Sequence, residues 1–335
     1  MDKTKKLWKV LGGRGEMIKR IGVLTSGGDA PGMNSAIRAI VRFGISKGIE
    51  VIGIERGYQG LIEEEFRVLH KDDVSEIVQR GGTILRTARS EEFKEEEGQR
   101  RAIENLKKHG IDGLIVIGGE GSLKGAYDLF KKGVNVVGIP GSIDNDIWGT
   151  DFSIGFDTAC NNVIDAINKI RDTAAAHERT FVIEVMGREC GFIAFTSGLV
   201  SGADIILIPE VPIDFPYITE KLKERQRRNK KHNIIVVAEG VGSAYFIGKQ
   251  IEDRLGISTR IVVLGHIQRG GSPSVFDRSI ATFMGVDAVK RLLAGESGVM
   301  IGWQNNSPVS VPLEEVVKNK KRVSPELYWE VESLW

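Results

Sequence analysis

Short apolar runs recur along this chain. Each ends at a glycine-containing turn, and a stretch of helical period then follows. Ile21 to Thr25, Val51 to Ile54, Leu114 to Ile117 and Val134 to Ile139 are the runs in the first 146 residues. Runs of this length, closed by Gly or Pro, predict buried strands. After the first run, Met33, Ile37, Ile40 and Val41 fall on one helical face. A short helix is predicted over Asp72 to Gln79, an amphipathic one over Arg100 to His109, and another up to Lys132. Strand and helix thus alternate, which predicts a parallel sheet with right-handed crossovers. The second half repeats the pattern. A long helix is expected over Gly155 to Ala175, its apolar stripe interrupted by Asn161, Asn162 and Asp165. Strands are expected at Phe181 to Val185, Ile205 to Ile208, Ile234 to Ala238, Arg260 to Leu264 and Val299 to Trp303. Helices are expected at Ile218 to Asn229, Ser243 to Leu255 and Phe276 to Leu293. The fold class is α/β with a second α/β domain, and no low-complexity linker divides the halves.

Two charged stretches, Glu63 to Lys71 and Glu91 to Gly98, read as exposed. Met1 to Glu16 has no clear period and reads as a flexible extension, with the first strand opening at Met17. That opening lacks the apolar core of a signal peptide, and no apolar run reaches transmembrane length. A cytoplasmic protein without a membrane partner is expected. The 335 residues are 41% hydrophobic and 27% charged, which suits a soluble globular chain. A net charge of +1 opposes nucleic-acid binding through a basic surface. Cys160 and Cys190 are too few for a disulfide framework or a cysteine-rich metal site.

Chemistry-bearing residues cluster where strands should end. Gly141-Ser142-Ile143-Asp144-Asn145-Asp146 follows a strand and sets two carboxylates, an amide and a hydroxyl past its carboxyl end, where open α/β sheets bind ligands. By itself this stretch also fits an Asx-rich turn that satisfies its own backbone. Ser26-Gly27-Gly28-Asp29-Ala30-Pro31-Gly32 lies between strand and helix, the build of a phosphate cradle or of an ordinary tight turn. Gly118-Gly119-Glu120-Gly121-Ser122 repeats that build, and its carboxylate suits Mg²⁺. Arg38 and Arg42 share a helix face, either solvated or holding an anion. Arg188, Arg260, His266 and Arg269 suit an anionic partner at the strand ends of the second half. Cradled phosphates, a metal, a carboxylate to take a proton and cations for developing charge are the inventory of phosphoryl transfer.

The chain resembles the bacterial ATP-dependent 6-phosphofructokinases from Met17 almost to Trp335. The resemblance is carried by Leu-Thr-Ser-Gly-Gly-Asp-Ala-Pro-Gly-Met-Asn from Leu24, Gly-Gly-Glu-Gly-Ser from Gly118 and Ile-Asp-Asn-Asp from Ile143. Glu-Val-Met-Gly-Arg from Glu184 and Leu-Gly-His-Ile-Gln-Arg-Gly-Gly-Ser-Pro from Leu264 complete it. It implies two Rossmann-like three-layer αβα domains with the active site in the cleft between them. Residues 17–155 plus about 268–318 would bind ATP, and 156–267 plus about 319–335 would bind fructose 6-phosphate. Asp144 would be the general base toward the sugar 1-hydroxyl, with Ser142, Arg89 and Gly28 beside the transferring phosphoryl group and Arg188 stabilising its charge. Gly28, Tyr58, Arg89, Ser90, Phe93, Gly119, Glu120, Gly121 and Ser122 would line the ATP site, with Glu120 and Asp146 serving Mg²⁺. Ser142, Ile143, Asp144, Met186, Gly187, Arg188, Glu239, His266 and Arg269 would hold fructose 6-phosphate, joined by Arg179 and Arg260 from a neighbouring subunit of a homotetramer.

The resemblance also implies an effector site for ADP or phosphoenolpyruvate at Arg38, Arg42, Arg171, Gly202, Asp204, Arg228, Lys230, Lys231 and His232. In the family, Asp204 is more familiarly Glu and Arg228 Lys. Likewise Glu120 stands for the usual Asp, and Ser142 for the usual Thr. Pyrophosphate-using relatives carry Asp at the position of Gly121 and Lys at that of Gly141; both glycines here favour ATP. A catalytically dead sugar-phosphate sensor would not need Asp144 and Arg188. A dehydrogenase would need a G-x-G-x-x-G that the first turn lacks. An NAD or lipid kinase would leave Met186-Gly187-Arg188 unexplained.

Overall fold

The computed structural model describes residues 18–334, so the extension Met1 to Glu16 and the start at Met17 lie outside the described residues. The strands are β1 (Arg20–Ser26), β2 (Glu50–Ile54), β3 (Phe66–Val68), β4 (Gly113–Gly118), β5 (Val136–Pro140) and β6 (Thr180–Val185). They continue with β7 (Ile205–Leu207), β8 (Asn233–Ala238), β9 (Thr259–Val263), β10 (Val299–Gln304) and β11 (Ser307–Pro312). The chain divides into two units. The first holds the chain up to Ile143, then Ile147–Asp157 and Arg269–Lys320; the second holds Asp144–Asp146, Thr158–Gln268 and Lys321–Trp335.

Among the described residues, the first unit is built on a seven-stranded sheet of order β11-β10-β5-β4-β1-β2-β3. Its central strands are parallel, while β3 and β11 run antiparallel at the edges. β4 is buried at every position, as a strand covered on both faces must be. Side chains alternate between the two faces. Leu24, Ile54, Leu114, Val116 and Met300 pack with Leu61, Leu106, Leu123 and Leu313 from the helices of one layer. On the opposite face, the helix Met33–Ser46 comes close enough that a methyl on Gly44 would lie 2.9 Å from Val51. The helix Val275–Leu293 shares that layer, and its Gly285 would meet the Ala36 carbonyl oxygen at 2.8 Å if it carried a side chain.

The second unit carries a four-stranded, all-parallel sheet of order β7-β8-β6-β9 among the described residues. Val182, Ile205, Leu207, Ile235 and Val237 pack against Ile218 and Leu222 of the helix Phe215–Arg227 and Ile247 and Ile251 of the helix Ala244–Leu255. Each such buried aliphatic side chain contributes about 1.5–3 kcal/mol. The helix Phe192–Ser201 covers the other face, with Gly198 against Ile206.

Three expectations need correction. Asp72 to Gln79 forms isolated turns, because Glu76 takes a left-handed φ of 52° that ends any helix there. The stretch Glu91 to Gly98 is not an exposed loop. It folds as a short 3₁₀ turn, Glu92–Lys94, and the start of the helix Glu96–Lys108, with Phe93 buried. Glu63 to Lys71 is surface except at Leu69, which is buried, and it includes the half-exposed edge strand β3. No helix among the described residues is long and apolar enough to cross a membrane.

Candidate active site

In the first unit, adjacent strands deliver three turns to one edge of the sheet. β5, β4 and β1 lie side by side and parallel, so Gly141-Ser142, Gly118 to Ser122 and Ser26 to Gly28 all leave carboxyl ends. Backbone contact holds them close. Gly141 N–H donates to the Gly118 carbonyl at 2.9 Å, and a Cβ on Gly118 would lie 2.5 Å from the Ser26 carbonyl. Gly27, at φ +82°, would bring a side chain within 3.1 Å of Ser122 Oγ. Gly121, in the first turn of the helix Glu120–Lys131, differs: a Cβ there meets nothing within 4 Å. Gly121 therefore has open space beside it in the first turn of a helix, and helix amino ends favour phosphates.

The loop holding Arg89 is pinned to these turns. Thr25 Oγ1 donates to the Arg86 carbonyl at 2.7 Å, Thr87 Oγ1 to the Gly27 carbonyl at 2.6 Å, and Asn34 Oδ1 accepts from Ile84 N at 2.8 Å. Arg89 itself is exposed, and Ser90 Oγ accepts from Phe93 N at 3.1 Å. Tyr58 and Phe93 stack on each other at 3.9 Å, each only 5% exposed. Tyr58 Oη donates to the Ser122 carbonyl at 2.6 Å, and its phenol is held well above its usual pKa by burial and, after that, by the Asp128 charge. The pair thus braces the second cradle from below. Glu120 is half-exposed, 3.8 Å from Lys320 Nζ. Arg269 belongs to this unit and reaches the first turn: its Nη1 donates to the Asp29 carbonyl at 3.3 Å, close above Gly28.

The chain passes from the first unit to the second between Ile143 and Asp144. Ser142 is fixed by its N–H to the Ile154 carbonyl at 3.1 Å and by Ser153 Oγ on its own carbonyl at 2.6 Å. Through the turn, Ile143, Asn145 and Ile147 are buried while Ser142, Asp144 and Asp146 are partly exposed. Asn145 has φ +55°, a conformation Asn tolerates better than most residues.

In the second unit, β8, β6 and β9 are neighbours, and their carboxyl ends gather Glu239, the Met186-Gly187-Arg188 loop and His266. Arg188, Glu239 and His266 are all exposed. Here glycines serve backbone contact. A Cβ on Gly240 would lie 2.0 Å from the Arg188 carbonyl, and Gly187, at φ +132°, could not carry one without striking the Cys190 carbonyl at 2.5 Å. Gly240 N–H donates to the Gly187 carbonyl at 3.0 Å. Cys190 Sγ–H donates to the Asp144 carbonyl at 3.2 Å. Burial, then the charge of Asp146, raises the Cys190 thiol well above its usual range, so it stays a neutral donor.

Two expected anion ligands lie elsewhere. Arg179 precedes β6, and Arg260 is the second residue of β9, so both sit at amino ends, opposite the Arg188 loop. One residue missed from the sequence matters here. Gln268 is fully buried, its Oε1 accepting from Met186 N at 3.1 Å while its Nε2 donates to the Gly265 carbonyl at 2.9 Å. It locks the His266 turn to the Met186 loop. A lone Gln in a glycine-rich turn gives no periodic signal of such a role.

A family model described as "Phosphofructokinase" matches residues 20–292. The chain belongs to the phosphofructokinase family. An ATP-dependent 6-phosphofructokinase of Thermotoga neapolitana is 56% identical over 312 residues, covering 93% of this chain and 98% of that protein. One from Halalkalibacterium halodurans is 57% identical over 311 residues, with the same coverage of 93% and 98%. The solved phosphofructokinase of Saccharomyces cerevisiae superposes with a TM-score of 0.84 at 38% identity, over 90% of this chain and 45% of that one.

Among the residues of this phosphofructokinase-family chain expected at an effector site, several gather in the second unit. Arg171 Nη2 donates to the Ser201 and Gly202 carbonyls at 2.6 and 2.9 Å. Asp204 is 2.6 Å from Arg225 and accepts from Ile234 N at 2.7 Å, and the His232 carbonyl accepts from Arg225 at 3.4 Å. Arg228 pairs with Glu224, Lys231 with Glu178 at 2.9 Å, and Lys230 is exposed. Arg38 and Arg42 belong to the first unit, where Arg42 reaches Ser75 Oγ at 3.4 Å.

Proposed function

We propose that this chain transfers the γ-phosphoryl group of ATP to the 1-hydroxyl of fructose 6-phosphate, giving fructose 1,6-bisphosphate and ADP in glycolysis. The observation that carries the donor choice is the open space at Gly121 in a glycine cradle. An Asp there would set a carboxylate against the α-phosphate, and Lys at the position of Gly141 would favour pyrophosphate. The sugar O1 forms its bond to the γ-phosphorus as the bond to the bridging oxygen of ADP breaks. Asp144 takes the hydroxyl proton, and Arg188 stabilises charge on the transferring group. Gly28, Arg89, Gly119 and Ser122 orient the nucleotide, Ser142 and Ile143 border the transferring group, and Met186, Gly187, Glu239, His266 and Arg269 hold the sugar phosphate.

No group of three or more acidic, His or Cys side chains suited to a metal occurs among the described residues. Mg²⁺ commonly arrives with a nucleotide and keeps phosphate and water oxygens around one or two carboxylates. Glu120 and Asp146 would supply them. When bound, the ion would neutralise phosphate charge.

A second copy completes the reading. Arg179 and Arg260 lie at the far end of strands about 20 Å long from the Arg188 loop of the same chain. They would reach the 6-phosphate of a neighbour in a homotetramer. ADP and phosphoenolpyruvate would act at Arg171, Asp204 and the basic turn Arg228 to His232, with Arg38 and Arg42, in a cytoplasmic enzyme.

The test is a coupled assay with fructose 6-phosphate and either ATP or pyrophosphate. Turnover with ATP and none with pyrophosphate is expected. Turnover with pyrophosphate alone would overturn the donor assignment, and none with either would favour a sugar-phosphate sensor.

A further inference from the structure

We infer that Glu210 is a positioning residue for phosphoryl transfer, the node of a closed ring of hydrogen bonds and short main-chain links joining the Arg188 loop to the Asp144 turn; this rests on the function proposed above. Glu210 lies just beyond β7, after Ile208 and Pro209. Both of its carboxylate oxygens accept from Gly191 N at 3.0 Å, and Oε1 also accepts from Val323 N at 3.1 Å. One side chain thus grips two segments far apart in sequence.

Each grip leads to a proposed reacting group. Gly191 caps the helix Phe192–Ser201, three residues beyond Arg188. No side chain fits at Gly191, since a Cβ would lie 2.4 Å from Ile208 and 2.9 Å from Glu210 Oε2. Its neighbour Cys190 donates to the Asp144 carbonyl at 3.2 Å. On the other side, Val323 is buried and lies two residues past Lys321, whose N–H donates to the Asp146 carbonyl at 3.2 Å. Lys321 Nζ also sits 5.0 Å from the Phe192 ring centre. The ring therefore runs from Glu210 through Gly191 and Cys190 to Asp144, through Asp146 and Lys321 to Val323, and back. All of its members belong to the second unit. A carboxylate suits the node twice over. It gives charge-assisted acceptors to both N–H groups, and it places a negative charge at a helix amino end. A merely structural prop for the C-terminal segment already exists elsewhere, in Tyr328 Oη donating to the Ile206 carbonyl at 2.6 Å.

The test compares Glu210→Ala, Glu210→Gln and Tyr328→Phe in the full chain by kcat, by KM for each substrate and by thermal melting. Loss of the charge-assisted bonds to these two N–H groups should let both loops drift. Glu210→Ala is expected to lower kcat about tenfold and raise KM for fructose 6-phosphate about tenfold, leaving KM for ATP within about twofold. Glu210→Gln keeps one acceptor oxygen and should fall between, and it carries the test if the Ala variant does not fold. Tyr328→Phe should lower melting while leaving the kinetic split absent. Parental kinetics in Glu210→Gln and Glu210→Ala would overturn the assignment, as would the same split in Tyr328→Phe. If the parent itself transferred nothing from ATP, the functional reading would fail instead. Amide exchange would then decide the ring, because Glu210→Ala must speed exchange in Asp144–Asp146 whether or not the protein turns over, and unchanged exchange there would refute it.

Discussion

A methyl added to Gly121 would touch no heavy atom within 4 Å, whereas one added to Gly240 would lie 2.0 Å from the Arg188 carbonyl. The two glycines stand in different units and answer different needs. Gly121 lies in the first turn of a helix with open space beside it, so its bareness leaves room for a ligand. Gly240 and Gly187 let two strand-end loops lie backbone to backbone, so their bareness serves the fold. The contrast extends to the chemistry. The first unit offers backbone N–H groups in cradles, and adding atoms there should do harm. The second offers the side chains Arg188, Glu239, His266 and Asp144, and removing atoms there should do harm.

The sharpest way to break this contrast is Gly121→Asp. It should fold like the parent and lose about a thousandfold in kcat/KM for ATP, since a new charge faces a like-charged phosphate. Unchanged ATP kinetics would show that the open space is not where the donor sits. Next is Arg188→Ala, expected to lose about a hundredfold in kcat/KM for fructose 6-phosphate. A loss confined to KM for ATP would move Arg188 to the wrong half of the reaction. Gly240→Ala should cost about 3 kcal/mol in chemical denaturation, because backbone must move against backbone. Smallest in free energy is Gly121→Ala. Its methyl is unopposed and lies in a helix, so the variant should be more stable by up to about 1 kcal/mol while binding ATP more weakly. A destabilised Gly121→Ala would place that glycine with Gly240.

Much of this was legible in the sequence because strand, glycine turn and helix leave strong local marks. Leu114 to Ile117 and Ile234 to Ala238 are continuous apolar runs, and both are buried parallel strands. The edge strands β3 and β11 were not legible: both are largely half-buried or exposed, and only antiparallel pairing at an edge fixes them. The helix Phe192–Ser201 was missed because its residues are mostly apolar all round and lack a helical stripe. In Asp72 to Gln79, Val74 and Ile77 are buried at a spacing that a turn satisfies as well as a helix. At the candidate site, the motif residues were legible as chemistry. Their bracing was not: Gln268, Glu210 and the Tyr58–Phe93 stack act through contacts that only the folded chain brings together.

In the proposed reaction, Asp144 takes the proton from the sugar hydroxyl. The most direct test of that step is a single-turnover transfer of labelled γ-phosphate from ATP to fructose 6-phosphate, comparing the parent with Asp144→Asn at saturating substrates. Transfer slowed at least about a hundredfold, with both ligands bound as in the parent, is expected. Transfer at the parental rate would contradict it.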